Sequence, residues 1–331
     1  MTTEFTAAEP TRENYWRSII LFGQNVQSYK FALGKALLGL SSGGNDLITL
    51  KDLAVPYSRH LAEHLKHSDK QGTSPSSQFL DSCRGFNRGE KSEQDLIETT
   101  VRLGFNNVID AFHIVNGDEI PTRFFLDERR ENRGIRLTTE FHQLLEGEHS
   151  DSLPQEAEAR WRLVETAWDL GVSRNLLEIK FDSEGERLFV EKATRRVDVT
   201  SCRDSLNGYQ RGRCFYCSAT LSIVDGVYDD ADVDHFFPHV LKSLDSSFHV
   251  DGVWNLVLAC KVCNRAKGTK VPVMRYLEAL NHRNEYFIQS HHPLRETVIR
   301  QTGDAHQNRT GFLNSAYQEA IEKLIHTWQP E

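Results

Sequence analysis

Residues 233–240 read Val233-Asp234-His235-Phe236-Phe237-Pro238-His239-Val240, and they lie between two C-x-x-C pairs, Cys214-Phe215-Tyr216-Cys217 and Cys260-Lys261-Val262-Cys263. Each pair offers two thiolates from one tight turn. Two such pairs brought together give the tetrahedral four-sulfur set that a structural zinc ion prefers. The stretch between them is roughly twice the usual finger spacing, so an element must fold between the two knuckles. A redox C-x-x-C needs only one pair, set in the strand-to-helix turn of a thioredoxin-like unit. Two pairs without such flanks favour zinc over redox chemistry or buried free thiols. The remaining cysteines, Cys83 and Cys202, stand apart.

The segments around the second pair extend the pattern. Trp254-Asn255-Leu256-Val257-Leu258-Ala259 leads into it, and Asn264-Arg265-Ala266-Lys267-Gly268 follows it. Phosphodiester hydrolysis needs a base for the attacking water, charge stabilisation at phosphorus and help for the departing oxygen. An imidazole is largely neutral at neutral pH and can serve as the base. A hard divalent cation supplies the other two. Asp234 and Asn264 offer oxygen ligands suited to Mg²⁺ or Mn²⁺, and Arg265, Lys267 and Lys270 suit flanking phosphates.

Residues 209–270 resemble the HNH (ββα-metal) endonuclease family, in its subgroup with two zinc knuckles. The resemblance rests on C-F-Y-C, V-D-H-F-F-P, W-N-L-V-L-A-C and C-N-R-A-K-G. It implies a two-stranded hairpin followed by a helix around one metal ion. It also implies His235 as general base, with Asp234 and Asn264 as metal ligands. Asn255 is then expected to brace the metal loop and orient His235 without touching the metal. Cys214, Cys217, Cys260 and Cys263 are expected to hold a structural Zn²⁺. The position that is often a second histidine in the family is Asn264 here. An amide oxygen is harder than an imidazole, so Mg²⁺ or Mn²⁺ is expected at the catalytic position. The implied activity is an endonuclease acting on nucleic acid, with DNA favoured. The alternative is a zinc-stabilised module that binds nucleic acid or protein without catalysis. His235 separates the two, because a pure binding module has no need of an imidazole beside Asp234.

Near this core, His239 lies four residues past His235, with Pro238 between them. Lys242, Lys261, Arg265, Lys267, Lys270 and Arg275 give the segment a basic side, and Asp225, Asp229, Asp230 and Asp232 an acidic one. The acidic run reads as a solvated hairpin loop, from which Asp232 can reach the metal through water.

The rest of the 331 residues is less specific. The expected fold class is α+β: a mostly α-helical chain carrying a small ββα-metal module. The expected division is a helical domain over 1–175, a β-hairpin connector over 176–200, the nuclease module over 201–275 and a helical segment over 276–331. Tyr29, Leu33, Leu37 and Leu40 follow Val26 at helical spacing, and Ser41-Ser42-Gly43-Gly44 ends the run. Ala157, Trp161, Val164 and Trp168 form a second stripe, begun near Ser152 and Pro154 and closed by Gly171. A strand pair is expected within 122–138, and a hairpin within 176–191 with its turn at Asp182-Ser183-Glu184-Gly185. Tyr317, Ile321, Leu324 and Trp328 make the last helical stripe. His60, His64 and His67 share one face of a helix over 57–66 and read as a solvated, pH-sensitive face, since no fourth metal ligand accompanies them.

Hydrophobic residues make up 39% and charged residues 26%, an ordinary composition for a protein with buried cores. No run approaches the ~20 apolar residues that span a bilayer, and the amino terminus shows no basic segment followed by an apolar one. A cytoplasmic location without membrane contact is the expectation. The net charge of −8 argues against unspecific coating of DNA, which runs on released counterions. The helical regions are expected to restrain or target the nuclease through a protein partner or self-association, as in a bacterial defence or restriction-type effector.

Overall fold

The structure is a computed structural model, and it describes residues 11–22, 28–40, 45–72, 77–115, 117–147, 150–169, 179–182, 187–192, 195–223, 231–290 and 293–330. Val26, the Ser41–Gly44 stop, Gly171, Leu177, the turn at 183–185 and Asp225, Asp229 and Asp230 lie outside the described residues. The chain divides into two compact units, one over Pro10–Gly171 and one over Val172–Glu331.

The first unit is mainly helical. Its first helices are α1 (Arg12–Phe22), α2 (Tyr29–Leu40), α3 (Leu50–Leu65) and α4 (Gln78–Asn87). Then follow α5 (Glu93–Thr99), the short α6 (Val108–Ala111), α7 (Thr139–Leu145) and α8 (Leu153–Asp169). Strand β1 (Leu47–Thr49) precedes α3, a small pair β2 (Ile114–Val115) and β3 (Asp118–Glu119) follows α6, and β4 (Phe125–Glu128) and β5 (Gly134–Leu137) form the expected strand pair. The sheet order β1-β5-β4 adds a strand that sequence patterning missed. A Cβ on Gly134 would lie 2.3 Å from the Ile48 carbonyl oxygen, so this pairing requires glycine.

Local chemistry fixes the helix ends. The Thr49 hydroxyl accepts from the Asp52 amide at the start of α3, and Ser92 and Asp95 form a reciprocal capping box on α5. The apolar stripe of α8 is buried as expected, with Ala157, Trp161 and Val164 at 5% exposure or less.

The reading of His60, His64 and His67 as a solvated face is corrected here. His67 is exposed and His60 half-buried, but His64 is 2% exposed. Its ring stacks on Trp161 with centroids 3.4 Å apart. Its Nδ1 lies 2.7 Å from Glu165 Oε1 and its Nε2 lies 3.1 Å from Glu158 Oε2. Burial opposes the charged imidazole, yet the two carboxylates outweigh it and raise the His64 pKa.

The second unit opens with an antiparallel sheet of β6 (Lys180–Asp182), β7 (Arg187–Lys192) and β8 (Arg195–Ser201), so the expected hairpin gains a third strand. Helix α9 (Cys202–Gln210) leads to the hairpin β9 (Ala231–His235) and β10 (Leu256–Cys260), followed at once by α10 (Lys261–Lys267). This is the ββα element. Three helices complete the unit: α11 (Met274–Gln289), α12 (Pro293–Thr302) and α13 (His306–Leu324).

These last helices pack directly on the ββα element. Arg283 of α11 donates to the carbonyls of Leu256 and Trp254 at 2.5 and 3.0 Å, and the Trp254 ring meets Phe312 of α13 at 4.9 Å. The stripe ending at Trp328 needs correction. Helix α13 stops at Leu324, and Trp328 lies in β12 (Thr327–Trp328), paired in parallel with β11 (Val271–Pro272). There its ring meets Tyr216 edge-on at 5.1 Å. No described helix is long and apolar enough to cross a membrane.

Candidate active site

Two periodicities meet at the centre of the ββα element. Asp232 and Asp234 are two apart on β9 and so share one side of the strand. Asn264 and Lys267 are three apart on α10 and share one side of the helix. The two sides face each other. Asn264 Nδ2 donates to Asp232 Oδ2 at 3.0 Å, and Lys267 Nζ donates to Asp234 Oδ1 at 2.8 Å. Lys267 also donates to the His235 carbonyl at 2.7 Å, and the Tyr216 hydroxyl donates to Asp234 Oδ2 at 2.6 Å.

Lys267 is 1% exposed and Asp234 is 7% exposed, so this is a buried ion pair with a phenol on its far side. Burial lowers the Lys267 pKa while Asp234 opposes the shift. Burial, with Asp234 beside it, raises that of Tyr216 and keeps it a donor. The expectation that Lys267 holds a substrate phosphate is therefore corrected: its ammonium faces inward. Arg265 and Lys270 are exposed on the same segment.

Asn255 is fully buried and spends its side chain on loops. Its Oδ1 accepts from the Phe237 amide at 2.8 Å, and its Nδ2 donates to the carbonyls of Phe237 and Val250 at 3.0 and 2.8 Å. It thus ties the chain just after His235 to the loop at 249–252.

His235 ends β9, opposite Leu256 in the register, and its side chain is 11% exposed. Its Nε2 lies 3.2 Å from Asp251 Oδ1. Lys242 Nζ donates to Asp251 Oδ2 at 2.6 Å, and His239 Nε2 lies 3.5 Å from Asp251 Oδ1. The hydrogen bond from His235 is the largest influence on Asp251, ahead of Lys242, and holds its carboxyl well below the usual range despite partial burial. Phe181 of β6 closes another side of the imidazole edge-on at 5.7 Å. Neither Asp251 nor Phe181 was picked out from the sequence. The available signal was weak: Asp251 stands four residues before Asn255, in a loop of no fixed pattern.

The four cysteines converge. The Sγ atoms of Cys214, Cys217, Cys260 and Cys263 all lie within 4.8 Å of one another. Cys217 and Cys260 are 3.8 Å apart. A tetrahedron with bonds of ~2.3 Å to zinc has edges of about 3.8 Å, whereas a disulfide needs about 2.05 Å. The donor set therefore fits a four-sulfur metal site.

Residues 214–273 match the HNH endonuclease family. The match begins at the first knuckle, contains the hairpin and α10, and ends just past β11. It spans about a fifth of the chain. Outside this family match, no curated protein and no solved structure matches the chain. The match marks residues 214–273 as an HNH-type domain and suggests nuclease activity at the level of the family.

Proposed function

We propose that the protein is a metal-dependent endonuclease that hydrolyses phosphodiester bonds of DNA, with His235 as the general base. One observation supports this above all: β9 ends in a largely enclosed imidazole, His235, directly after the strand residues Asp232 and Asp234, which with Asn264 of α10 form a face of hard oxygen donors.

That donor set suits Mg²⁺ or Mn²⁺. A carboxylate offers about four acceptor sites, so Asp234 keeps capacity beyond its bonds to Tyr216 and Lys267. Asp232 accepts only, so it draws the Asn264 NH₂ toward itself and leaves the amide oxygen for a cation. Asp234 and Asn264 would hold the ion, which when bound would stabilise charge on the phosphate and on the leaving oxygen. His235 would take the proton of the attacking water. Arg265 and Lys270 would hold flanking phosphates, and Asn255 would keep the His235 loop in place. The expected products carry a 5′ phosphate and a 3′ hydroxyl. The cysteine tetrad would carry Zn²⁺ and pin the first knuckle to α10.

The first unit is proposed to engage a protein partner or a second copy of the chain, in a bacterial defence or restriction-type role by analogy. The activity is tested on a panel of supercoiled plasmid, single-stranded DNA and RNA with Mg²⁺ or Mn²⁺, with end-group analysis of the products. Cleavage of DNA supports the reading; cleavage of RNA alone moves the substrate, and no cleavage of any of them removes the activity.

A further inference from the structure

We propose that Asp251 is the positioning residue of His235: its carboxylate holds the Nε2–H tautomer and leaves Nδ1 as the nitrogen that receives the proton. The role in turnover rests on the nuclease reading, whereas the tautomer does not.

The geometry carries the assignment. Asp251 Oδ1 lies 3.2 Å from His235 Nε2, and an ionised carboxylate only accepts hydrogen bonds, so the hydrogen belongs to Nε2. Lys242 donates to the other carboxylate oxygen at 2.6 Å. Both side chains are shielded, His235 at 11% exposure and Asp251 at 14%. The competing contact from His239 is longer, at 3.5 Å, and comes from a side chain 52% exposed.

The distance between the two residues is itself built in. Asn255 bonds Phe237, two residues after His235, and Val250, one residue before Asp251. One buried amide thus sets the separation of the imidazole and the carboxylate. This links the Asn255 brace to the chemistry: it holds the partner of the base as well as the loop of the base.

The test uses the full chain with ¹⁵N-labelled histidine. The His235 signals are identified by their loss in His235→Gln, and the tautomer is read from the nitrogen shifts. The wild type should show Nε2–H. Asp251→Asn, which can donate to Nε2, should shift the ring toward Nδ1–H. It should also lower kcat on plasmid by about 100-fold or more, within the range of a general base, with KM and Mn²⁺ affinity unchanged. Asp251→Glu should retain the tautomer and recover part of kcat. An Nδ1–H tautomer in the wild type overturns the inference, as does an Asp251→Asn protein with the wild-type spectrum and kcat. If the wild type cleaves nothing, the nuclease reading fails, and the tautomer still decides the role of Asp251.

Discussion

Lys267 Nζ lies 2.8 Å from Asp234 Oδ1, and neither residue is more than 7% exposed. The pair joins α10 to β9 at the centre of the HNH domain. Removing one member of a buried pair leaves the other uncompensated, at a cost of roughly 3–5 kcal/mol. Lys267→Met is therefore expected to destabilise the hairpin strongly. Adding Asp234→Asn should restore part of the loss. Hydrogen exchange of the β9 and β10 amides measures both, and unchanged protection in Lys267→Met would refute the coupling.

Asp232 is expected to act on the metal through Asn264. Its bond to Nδ2 decides which way the amide points. Loss of such an outer partner usually costs about 10–100-fold in metal affinity. Asp232→Ala should weaken Mn²⁺ binding, followed by electron paramagnetic resonance, by a factor in that range. Equal affinity in the variant would show that Asn264 needs no orienting partner.

The zinc site is expected to hold the HNH domain together. Burial pushes the Cys214 thiol up to about 12, so metal binding must displace protons. Elemental analysis should find one zinc per chain. Cys263→Ala should lose it and unfold the unit over 172–331, while the circular dichroism of the helical first unit persists. A zinc-free wild type with a cooperative unfolding transition in the second unit would contradict this.

Much of the HNH domain was legible because its information is local. The C-x-x-C pairs, whose sulfurs converge, and the run from Val233 to Lys267 that forms the hairpin and helix show through short spacings. Lys267 was misread because a lysine's burial depends on what lies across from it. The i, i+3 relation to Asn264 was the signal that it shares the inward face. Asp251 was out of reach, since its pairing with His235 depends on a loop held by Asn255. His64 was misread as solvated although it stands three residues after Leu61 and seven after Tyr57, both fully buried on α3. Strands β1 and β8 were missed because β1 has only three residues and the alternation in β8 is confined to Val197-Asp198-Val199-Thr200 between charged and polar neighbours.

The first unit should lose stability in acid through His113. Burial, with Arg123 and Lys30 nearby, lowers its pKa to about 3, and its Nε2 must stay unprotonated to accept from the Phe124 amide at 3.0 Å. The unfolded chain binds this proton near the ordinary value of ~6.5. The contribution is thus whole above that value and is lost as pH falls toward 3, by up to ~1.4 kcal/mol per pH unit. His60, lowered to about 4 chiefly by burial, adds to the loss, and His64 runs the other way. His113→Gln keeps an acceptor and removes the titration. Its denaturation midpoint should depend less steeply on pH between 6.5 and 4; an identical slope would show that His113 does not contribute to the acid loss.

His235 is expected to do chemistry and not merely to help bind. Supercoiled plasmid incubated with Mn²⁺ should be nicked or cut by the wild type, and not by the wild type in EDTA. His235→Ala should bind the same DNA with unchanged affinity and leave it intact. If His235→Ala cleaves as the wild type does, His235 is not the base, and the assignment of this site fails.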